Sequence, residues 1–316
     1  MSLTFLRRKS LGAGSCKGMV AFIDNHEPER VSALAHKGDS VNVIRKDKIE
    51  TPNGKDILNN TDWLVRWGCT SPAGFKNSNT INISSAIKQV AHKSGFRKLI
   101  ANSNEAYLAP KTIFSLGEAE NVDFPLVLRP EAHSQGRNLW LVNSYQELVD
   151  RVQSEPCLRK GNWYASEYIN KVAEYRIYVV SGRVVTVANK TPDDPNAVAW
   201  NVAQGGRFDV VRFGDWYLNA LDVAVRSFNY TGLDFGGVDI MVDDKGRAYL
   251  IEVNSAPSLP VMVEGQHSYR QQCMAKALMY ISERGKERME VGEGNWKQYI
   301  HPSISDKAML DCIELV

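Results

Sequence analysis

Residues 231–260 read TGLDFGGVDIMVDDKGRAYLIEVNSAPSLP, and this stretch decides the fold. Two apolar runs, residues 237–242 and 248–253, flank the sequence Asp243-Asp244-Lys245-Gly246, whose Asp and Gly residues suit a tight turn. The pattern predicts a β-hairpin.

Oxygen-bearing side chains recur along this hairpin. Asp239 lies in its first strand, whereas Glu252 and Asn254 lie two residues apart in the second and therefore project from one face. Two carboxylates and an amide oxygen are ligands of the kind that Mg²⁺ prefers. A surface hairpin whose acids face water is the alternative. Because Glu252 and Asn254 alternate with apolar Ile251 and Val253, we favour the metal site.

The composition is that of an ordinary globular protein. The 316 residues are 43% hydrophobic and 23% charged, which suits two or three domains, and a net charge of +2 does not indicate a nucleic-acid-binding protein. No apolar run is long enough to span a membrane. Five scattered cysteines without a CxxC pair argue against a disulfide framework or a zinc site. We expect a cytoplasmic protein.

Strands and helices alternate near the N-terminus. Residues 1–18 form a basic stretch that we interpret as a leader, and the pattern predicts strands at 19–23, 41–44 and 62–68 with helices at 27–36 and 83–91. This alternation predicts a small α/β domain over residues 1–92.

A polar loop follows in the middle of the chain. Predicted strands at 124–130 and 139–142 flank EAHSQGRN, residues 131–138, and Arg129 ends the first strand with a cation. A strand, polar loop and strand can form a flap whose backbone N–H groups cover phosphate oxygens. A solvated hairpin loop is the common alternative, because Gly136 is the one glycine in the loop and the chain contains neither GxxxxGK[ST] nor GxGxxG.

A charged strand face lies further along. In EYRIYVV, residues 174–180, Glu174, Arg176 and Tyr178 share one face, and the returning strand ends at Lys190. An exposed strand with an ion pair is the ordinary alternative. However, the cations Arg129, Arg176 and Lys190 come from three strand ends, and polyphosphate bound with Mg²⁺ requires both cations and acids.

The order of these motifs resembles the ATP-grasp superfamily. Over residues 93–285 the matching elements are Lys98, VLRPEAHSQGRNL, SEYI, EYRIYVVSGRVV, NK, WNVAQGG, GGVDI and LIEVNSAPSL. Within that superfamily the chain is most similar to the ribosomal-protein glutamate ligase (RimK-like) branch of carboxylate–amine ligases, which usually carries Lys at the position of Arg129. The resemblance implies a mixed α/β and α+β fold in which two α+β subdomains sandwich ATP. Its parts are an N-terminal α/β domain (1–92), a central lid subdomain (93–165), a catalytic subdomain (166–290) and a tail (291–316).

The resemblance also implies roles for individual residues. Asp239, Glu252 and Asn254 would hold two Mg²⁺ ions, with Mn²⁺ as a substitute, on the ATP phosphates. Arg176, Lys190 and Asn201 would face the transferred phosphate and the acceptor carboxylate. The nucleotide itself would contact Lys98, Arg129, His133, Ser134, Gln135, Gly136, Glu167, Tyr168, Ile169 and Glu174.

The activity implied by the resemblance is ATP-dependent ligation of a carboxylate to an amine through an acylphosphate. The substrates would be a carboxylate and an amine acceptor, in a small molecule, a peptide or a protein. Two other classes stay open: a small-molecule kinase on the same fold, and an ATP-binding module without turnover. The apolar C-terminal tail is compatible with docking on the body or with pairing to a second subunit in a homo-oligomer.

Overall fold

The computed structural model describes residues 2–8, 35–37, 41–71, 79–131, 138–194, 197–200, 206–209, 211, 218–259, 269–286 and 296–304. Within these ranges the chain forms three β-sheets with helices packed on them, which confirms the predicted mixture of α/β and α+β structure. No helix in these ranges is long and apolar enough to cross a membrane.

The first sheet is mostly parallel. It contains β1 (Leu3–Arg7), β2 (Ala35–Lys37), β3 (Val41–Arg45), β4 (Trp63–Trp67) and β5 (Thr80–Ile81), in the order β2-β3-β1-β4-β5 with β2 antiparallel. Helix α1 (Pro52–Asn59) connects β3 to β4. It begins after Thr51, whose hydroxyl accepts a hydrogen bond from the Gly54 amide, and Pro52 suits the first helical position.

The interpretation of the first residues as a leader is wrong. Residues 3–7, interpreted as part of a leader, form the central strand of the first sheet, and all five are buried. A strand flanked on both sides needs no alternation of polar residues, so its sequence LTFLR gave no period-2 signal. The predicted helix at 27–36 ends inside β2, and its earlier residues, like the predicted strand at 19–23, lie outside the described residues.

The middle sheet is antiparallel. It contains β6 (Thr112–Ile113), β7 (Leu126–Pro130), β8 (Trp140–Val142) and β9 (Trp163–Glu167), in the order β6-β9-β7-β8. Helix α4 (Tyr145–Ser154) buries Leu148 against this sheet and begins after Ser144, whose side chain accepts from the Glu147 amide. Helices α2 (Ser84–Ala91) and α3 (Lys93–Ala101) precede the sheet in sequence.

The third sheet is also antiparallel and contains the predicted hairpin. Its strands are β10 (Lys171–Val180), β11 (Arg183–Thr191), β12 (Arg207–Asp209), β13 (Phe235–Asp243) and β14 (Ala248–Asn254), in the order β12-β11-β10-β13-β14. Helix α5 (Leu218–Asn229) packs on one face together with α2 and α3, so α2 packs on a sheet outside its predicted domain. Helix α6 (Tyr269–Arg284) covers part of the other face.

The first and third sheets share one core. The rings of Trp67 and Phe235 stack with centroids 4.8 Å apart, and α6 completes this core. At the same junction, Gly68 has a φ of +61° and donates its amide to the Ser255 carbonyl at 3.1 Å. A Cβ on Gly68 would lie 2.6 Å from that of Ala256. The first sheet therefore abuts the segment that directly follows Asn254.

Candidate active site

A cleft separates the middle sheet from the third sheet. The space between its lining residues, including the open mouth, is about 810 Å³. Eight of the residues predicted from sequence line it: Arg129, Glu167, Tyr168, Ile169, Glu174, Lys190, Asp239 and Glu252.

The hairpin brings two acids to this cleft. Along β13, Val238 and Ile240 point into the hydrophobic core, so the alternate residues Asp239 and Met241 line the cleft. Asp239 lies directly opposite Glu252 of β14. Directly opposed residues on one sheet face have Cβ atoms about 5 Å apart, so the two acids are cross-strand neighbours.

A β-bulge alters the face that β14 presents. Asp239 pairs with Glu252 but Ile240 pairs with Leu250, which leaves Ile251 as the extra residue. Ile251 and Glu252 therefore both line the cleft, although they are neighbours in sequence. Strict alternation predicted that Ile251 would face the core, and the bulge is the reason that this expectation is wrong.

Asp239 is the centre of a buried ion network. Its carboxylate accepts two hydrogen bonds from Arg176, at 2.5 and 2.6 Å, and one from Lys190 at 2.9 Å. Burial acts to raise the pKa of Asp239, but Arg176 and Lys190 outweigh it and hold that pKa below its ordinary value. Burial likewise acts to lower the pKa of Arg176, and Asp239 raises it above its ordinary value. All three groups stay charged at neutral pH.

The network continues to Glu174. Lys190 also donates to Glu174 at 2.6 Å, and Lys171 donates to the other oxygen of Glu174 at 2.5 Å. The Lys171 ammonium lies 4.7 Å from the ring centre of Trp200, which closes this part of the cleft. Burial lowers the pKa of Lys171 although Glu174 acts to raise it. No spacing pattern in the sequence pointed to Lys171 or Trp200.

Glu252 pairs with a lysine from helix α3. Lys93 donates to Glu252 at 2.5 Å, and Asn254 donates to its other oxygen at 3.0 Å. Burial acts to raise the pKa of Glu252, and Lys93 outweighs it, so that pKa lies well below its usual range.

The predicted lysine of this helix lies elsewhere. Lys98 is exposed and is not among the residues that line the cleft; its ammonium sits 4.8 Å from the ring centre of Phe114. Helix α3 presents Lys93 and Arg97 to the cleft instead. These two are four residues apart and so share a helix face, a signal that the sequence does contain.

Two arginines in the cleft carry charge that the described residues do not neutralise. Arg97 is 3% exposed; one of its nitrogens donates to the Ile251 carbonyl at 2.7 Å and another, Nη1, has no partner in the described part of the chain. Burial, with a smaller contribution from Arg129, lowers the pKa of Arg97 to about 10. Across the described ranges, Nε of Arg129 also lacks an acceptor. A pair of this kind favours an anionic ligand.

One part of the cleft is lined by apolar side chains. Val127, Leu139 and Met241 line it beside Ile169. The Tyr168 amide donates to the Pro125 carbonyl at 3.0 Å, so it is engaged within the protein. Among the described residues the Ile169 amide has no acceptor, which leaves it available to a ligand. A flat apolar group with a hydrogen-bond acceptor suits this apolar part of the cleft.

The remaining predicted residues divide into two groups. Arg176 and Asn254 donate hydrogen bonds to Asp239 and Glu252, which line the cleft, but are not lining residues themselves. The others, His133, Ser134, Gln135, Gly136 and Asn201, lie outside the described residues.

The family model described as the RimK-like ATP-grasp domain matches residues 82–270, which is more than half of the chain. The chain belongs to the RimK-like ATP-grasp family. The matched residues include both walls of the cleft and every cation described above. Among curated protein sequences, none matches the chain.

Solved structures have the same fold at low sequence identity. The chain is similar to D-alanine–D-alanine ligase from Bacillus anthracis, with a TM-score of 0.61 and 14% identity over 90% of this chain and 100% of that one. It is also similar to the ATP-grasp ligase PsnB complexed with minimal precursor, with a TM-score of 0.59 and 13% identity over 89% and 99%. A third is the L-amino acid ligase from Bacillus licheniformis, with a TM-score of 0.52 and 14% identity over 92% and 77%.

These findings confirm the predicted family, the ATP-grasp fold and the predicted class of enzyme. By its family the chain is an ATP-dependent carboxylate–amine ligase, which forms carbon–nitrogen bonds and releases ADP. A cluster of three or more His, Cys, Asp or Glu residues that could hold a metal does not occur in the described ranges. The predicted metal ligands do not form a cluster of that kind, because only Asp239 and Glu252 are acids and the third ligand is the amide of Asn254.

Proposed function

We propose that the cleft binds Mg-ATP and activates a substrate carboxylate as an acylphosphate, which an amine then converts to an amide. The observation that carries this proposal is the arrangement of charges. Asp239 and Glu252 lie opposite each other on β13 and β14, and Lys93, Arg97, Arg129 and Lys190 line the same cleft. Acids beside an excess of cations suit a metal–polyphosphate complex.

The metal-binding residues would be Asp239, Glu252 and Asn254. Their chemistry fits Mg²⁺, because all three offer hard oxygen ligands and both acids stay ionised, with pKa values below their ordinary range. When bound, Mg²⁺ would neutralise charge on the ATP phosphates. The ammonium of Lys93 donates a hydrogen bond to the Glu252 carboxylate at this site.

The nucleotide would lie along the cleft with its phosphates at the cationic end. Lys93, Arg97 and Arg129 are the candidate phosphate ligands. Lys93 lines the cleft where Lys98 was predicted to, and each arginine has a nitrogen without a partner among the described residues. Adenine would fit the apolar end, where the Ile169 amide can donate to a ring nitrogen. Glu174 would accept from the ribose hydroxyls.

The reacting groups would meet beside Arg176 and Lys190. A carboxylate oxygen attacks the γ-phosphorus, the bond to ADP breaks, and the two cations stabilise the charge that develops on the transferred phosphoryl group. The amine then attacks the carbonyl carbon and expels inorganic phosphate. No side-chain nucleophile is required, so the protein contributes positioning and charge.

The substrate class that we propose is a peptide or protein that carries the carboxylate or the amine, in a cytoplasmic reaction. Family membership supports this, together with the likeness to PsnB, which was solved with a minimal precursor. The likeness to an L-amino acid ligase supports an amino acid as the other substrate.

The experiment is an assay of ATP consumption with Mg²⁺ across pools of amino acids, peptides and other carboxylates, in which ADP, phosphate and product mass are followed together. The expected result is ADP and free phosphate in equal amounts with a product lighter by one water than its two substrates. A product that retains the phosphoryl group would indicate a kinase. Binding of ATP without turnover in any pool, including protein pools, would indicate a binding module.

A further inference from the structure

The first turn of helix α3 contacts both walls of the cleft. Lys93 and Arg97 reach the third sheet, where they donate to Glu252 and to the Ile251 carbonyl. Ser94 points to the opposite wall and is 7% exposed. The side chains that face the two walls are thus held on one rigid helical turn.

The contact with the middle sheet is a charged hydrogen bond. The Ser94 hydroxyl donates to Oε1 of Glu131 at 2.5 Å, and Nδ1 of His92 lies 3.1 Å from the same oxygen. Hydrogen bonds to ionised acceptors are shorter and stronger than neutral ones. The Glu131 carboxylate is therefore well placed to fix the position of this helix relative to the sheet.

Glu131 is itself firmly attached to the middle sheet. It directly follows β7, and its amide donates to the Asn162 carbonyl at 2.8 Å. Arg129, which lines the cleft, is two residues earlier on the same strand. A displacement of Glu131 would consequently move Arg129 with it.

We propose that the Ser94–Glu131 hydrogen bond is a positioning contact, which sets the separation between Arg129 on one wall of the cleft and Lys93 on the other. At the correct separation both cations reach the phosphates of one nucleotide. The inference rests on the proposed phosphate contacts of Lys93 and Arg129, and it adds Ser94 and Glu131 as residues that act through them. Neither Ser94 nor Glu131 is among the residues that line the cleft.

A positioning contact and a purely structural one differ in their effects on ligands. If the bond sets the spacing of the phosphate-binding cations, its loss weakens ATP binding but leaves the binding of adenosine, which has no phosphates, unchanged. A general loosening of the cleft weakens both ligands. The loss of ATP affinity should also be smaller when Lys93 is replaced, because the hydrogen bond then has no Lys93 ammonium to position.

The test measures the Kd of Mg-ATP and of adenosine by calorimetry for the wild-type chain and for Ser94→Ala, Glu131→Gln, Lys93→Met and the double variant Ser94→Ala/Lys93→Met. We expect Ser94→Ala and Glu131→Gln each to raise the Kd of Mg-ATP about tenfold. The Kd of adenosine should stay within about twofold. In the Lys93→Met background, Ser94→Ala should add less than about twofold.

The matched control is Ser144→Ala. Ser144 caps α4 in the middle sheet by accepting from the Glu147 amide and lies outside the cleft lining. It should lower the melting temperature without changing either Kd. Thermal unfolding of every variant checks that each Kd is measured on folded protein.

Four outcomes would overturn the inference. The first is an unchanged Kd of Mg-ATP in Ser94→Ala while Lys93→Met weakens binding, which removes the positioning contact and leaves the proposed function intact. The second is the same tenfold effect of Ser94→Ala in both backgrounds, and the third is an equal loss of adenosine binding. The fourth is an unchanged Kd of Mg-ATP in Lys93→Met alone, which would contradict the proposed phosphate contact of Lys93 and the inference that rests on it.

Discussion

At the scale of single residues, Asp239 is both a proposed metal ligand and the acid at the centre of a buried ion network. Its carboxylate is 3% exposed and neutralises both Arg176 and Lys190. Removing one partner of a buried ion network leaves uncompensated charge, which costs about 3–5 kcal/mol. Glu252 is 24% exposed and pairs with the equally exposed Lys93. The two acids therefore differ in their structural roles although both are proposed metal ligands.

This difference gives the first prediction. Asp239→Asn and Glu252→Gln should each lower Mg-dependent ATP turnover at least about 100-fold, but Asp239→Asn alone should also lose about 3–5 kcal/mol of stability. Steady-state kinetics and urea unfolding measure the two effects. Turnover near that of the wild-type chain in both variants would contradict the metal assignment, and equal stability of both would contradict the role given to Asp239.

A histidine far from the cleft gives a prediction about pH. His301 is fully buried and contacts the ring of Tyr280 edge-on with centroids 5.1 Å apart, and burial lowers its pKa from 6.5 to about 4. Between these values the unfolded chain binds a proton that the folded chain does not, so stability falls as pH falls through this window.

His301→Phe keeps a ring beside Tyr280 but cannot take up a proton. The unfolding free energy of the wild-type chain should therefore drop more between pH 7 and pH 5 than that of the variant. Urea unfolding at the two pH values measures this. Identical pH dependence in both proteins would mean that His301 is not held neutral in the fold.

At the scale of elements, the sequence predicted the hairpin but not which lysine of helix α3 lines the cleft. Alternation along residues 237–242 and a turn of Asp and Gly residues are local signals, and the structure confirms them in β13 and β14. The bulge at Ile251 left no such signal, because an extra residue is visible only against its partner strand. Helix α3 carries two lysines, and periodicity alone does not tell which of them faces a ligand.

The two lysines of α3 supply the next prediction. Lys93 lines the cleft, whereas Lys98 is exposed beside Phe114. Lys93→Met should raise the Kd of Mg-ATP at least about tenfold because a direct charge contact is lost. Lys98→Met, the same exchange on the same helix, should change it less than about twofold. The reverse order in a calorimetric titration would restore the sequence-based assignment to Lys98.

At the scale of the whole molecule, the order of motifs predicted the fold, but the packing between sheets did not follow from it. The predicted fold rested on the order of motifs between residues 93 and 285. The central strand β1 was missed because a buried strand among basic residues has no alternation. The contact of Gly68 with Ser255 joins residues far apart in sequence, and no local pattern announces it.

That contact predicts how the first sheet supports the site. Gly68→Ala places a Cβ 2.6 Å from that of Ala256 in a backbone with φ of +61°, so it should cost about 2–3 kcal/mol and lower turnover by displacing the segment after Asn254. Gly246→Ala is the matched control, because its φ is +75° and its Cβ would meet open space. It should lose only about 1 kcal/mol and keep full activity. Equal effects of the two variants on stability and turnover would contradict the proposed support.

The central claim is that this RimK-like ATP-grasp ligase activates a carboxylate as an acylphosphate. Its most direct measurement uses a substrate whose carboxylate oxygens are labelled with ¹⁸O, in a complete reaction with ATP, Mg²⁺ and the amine, followed by mass analysis of the released phosphate. Attack of the carboxylate on the γ-phosphorus transfers its oxygen, so the account predicts one ¹⁸O atom in each phosphate. Unlabelled phosphate beside a correctly formed amide would contradict it.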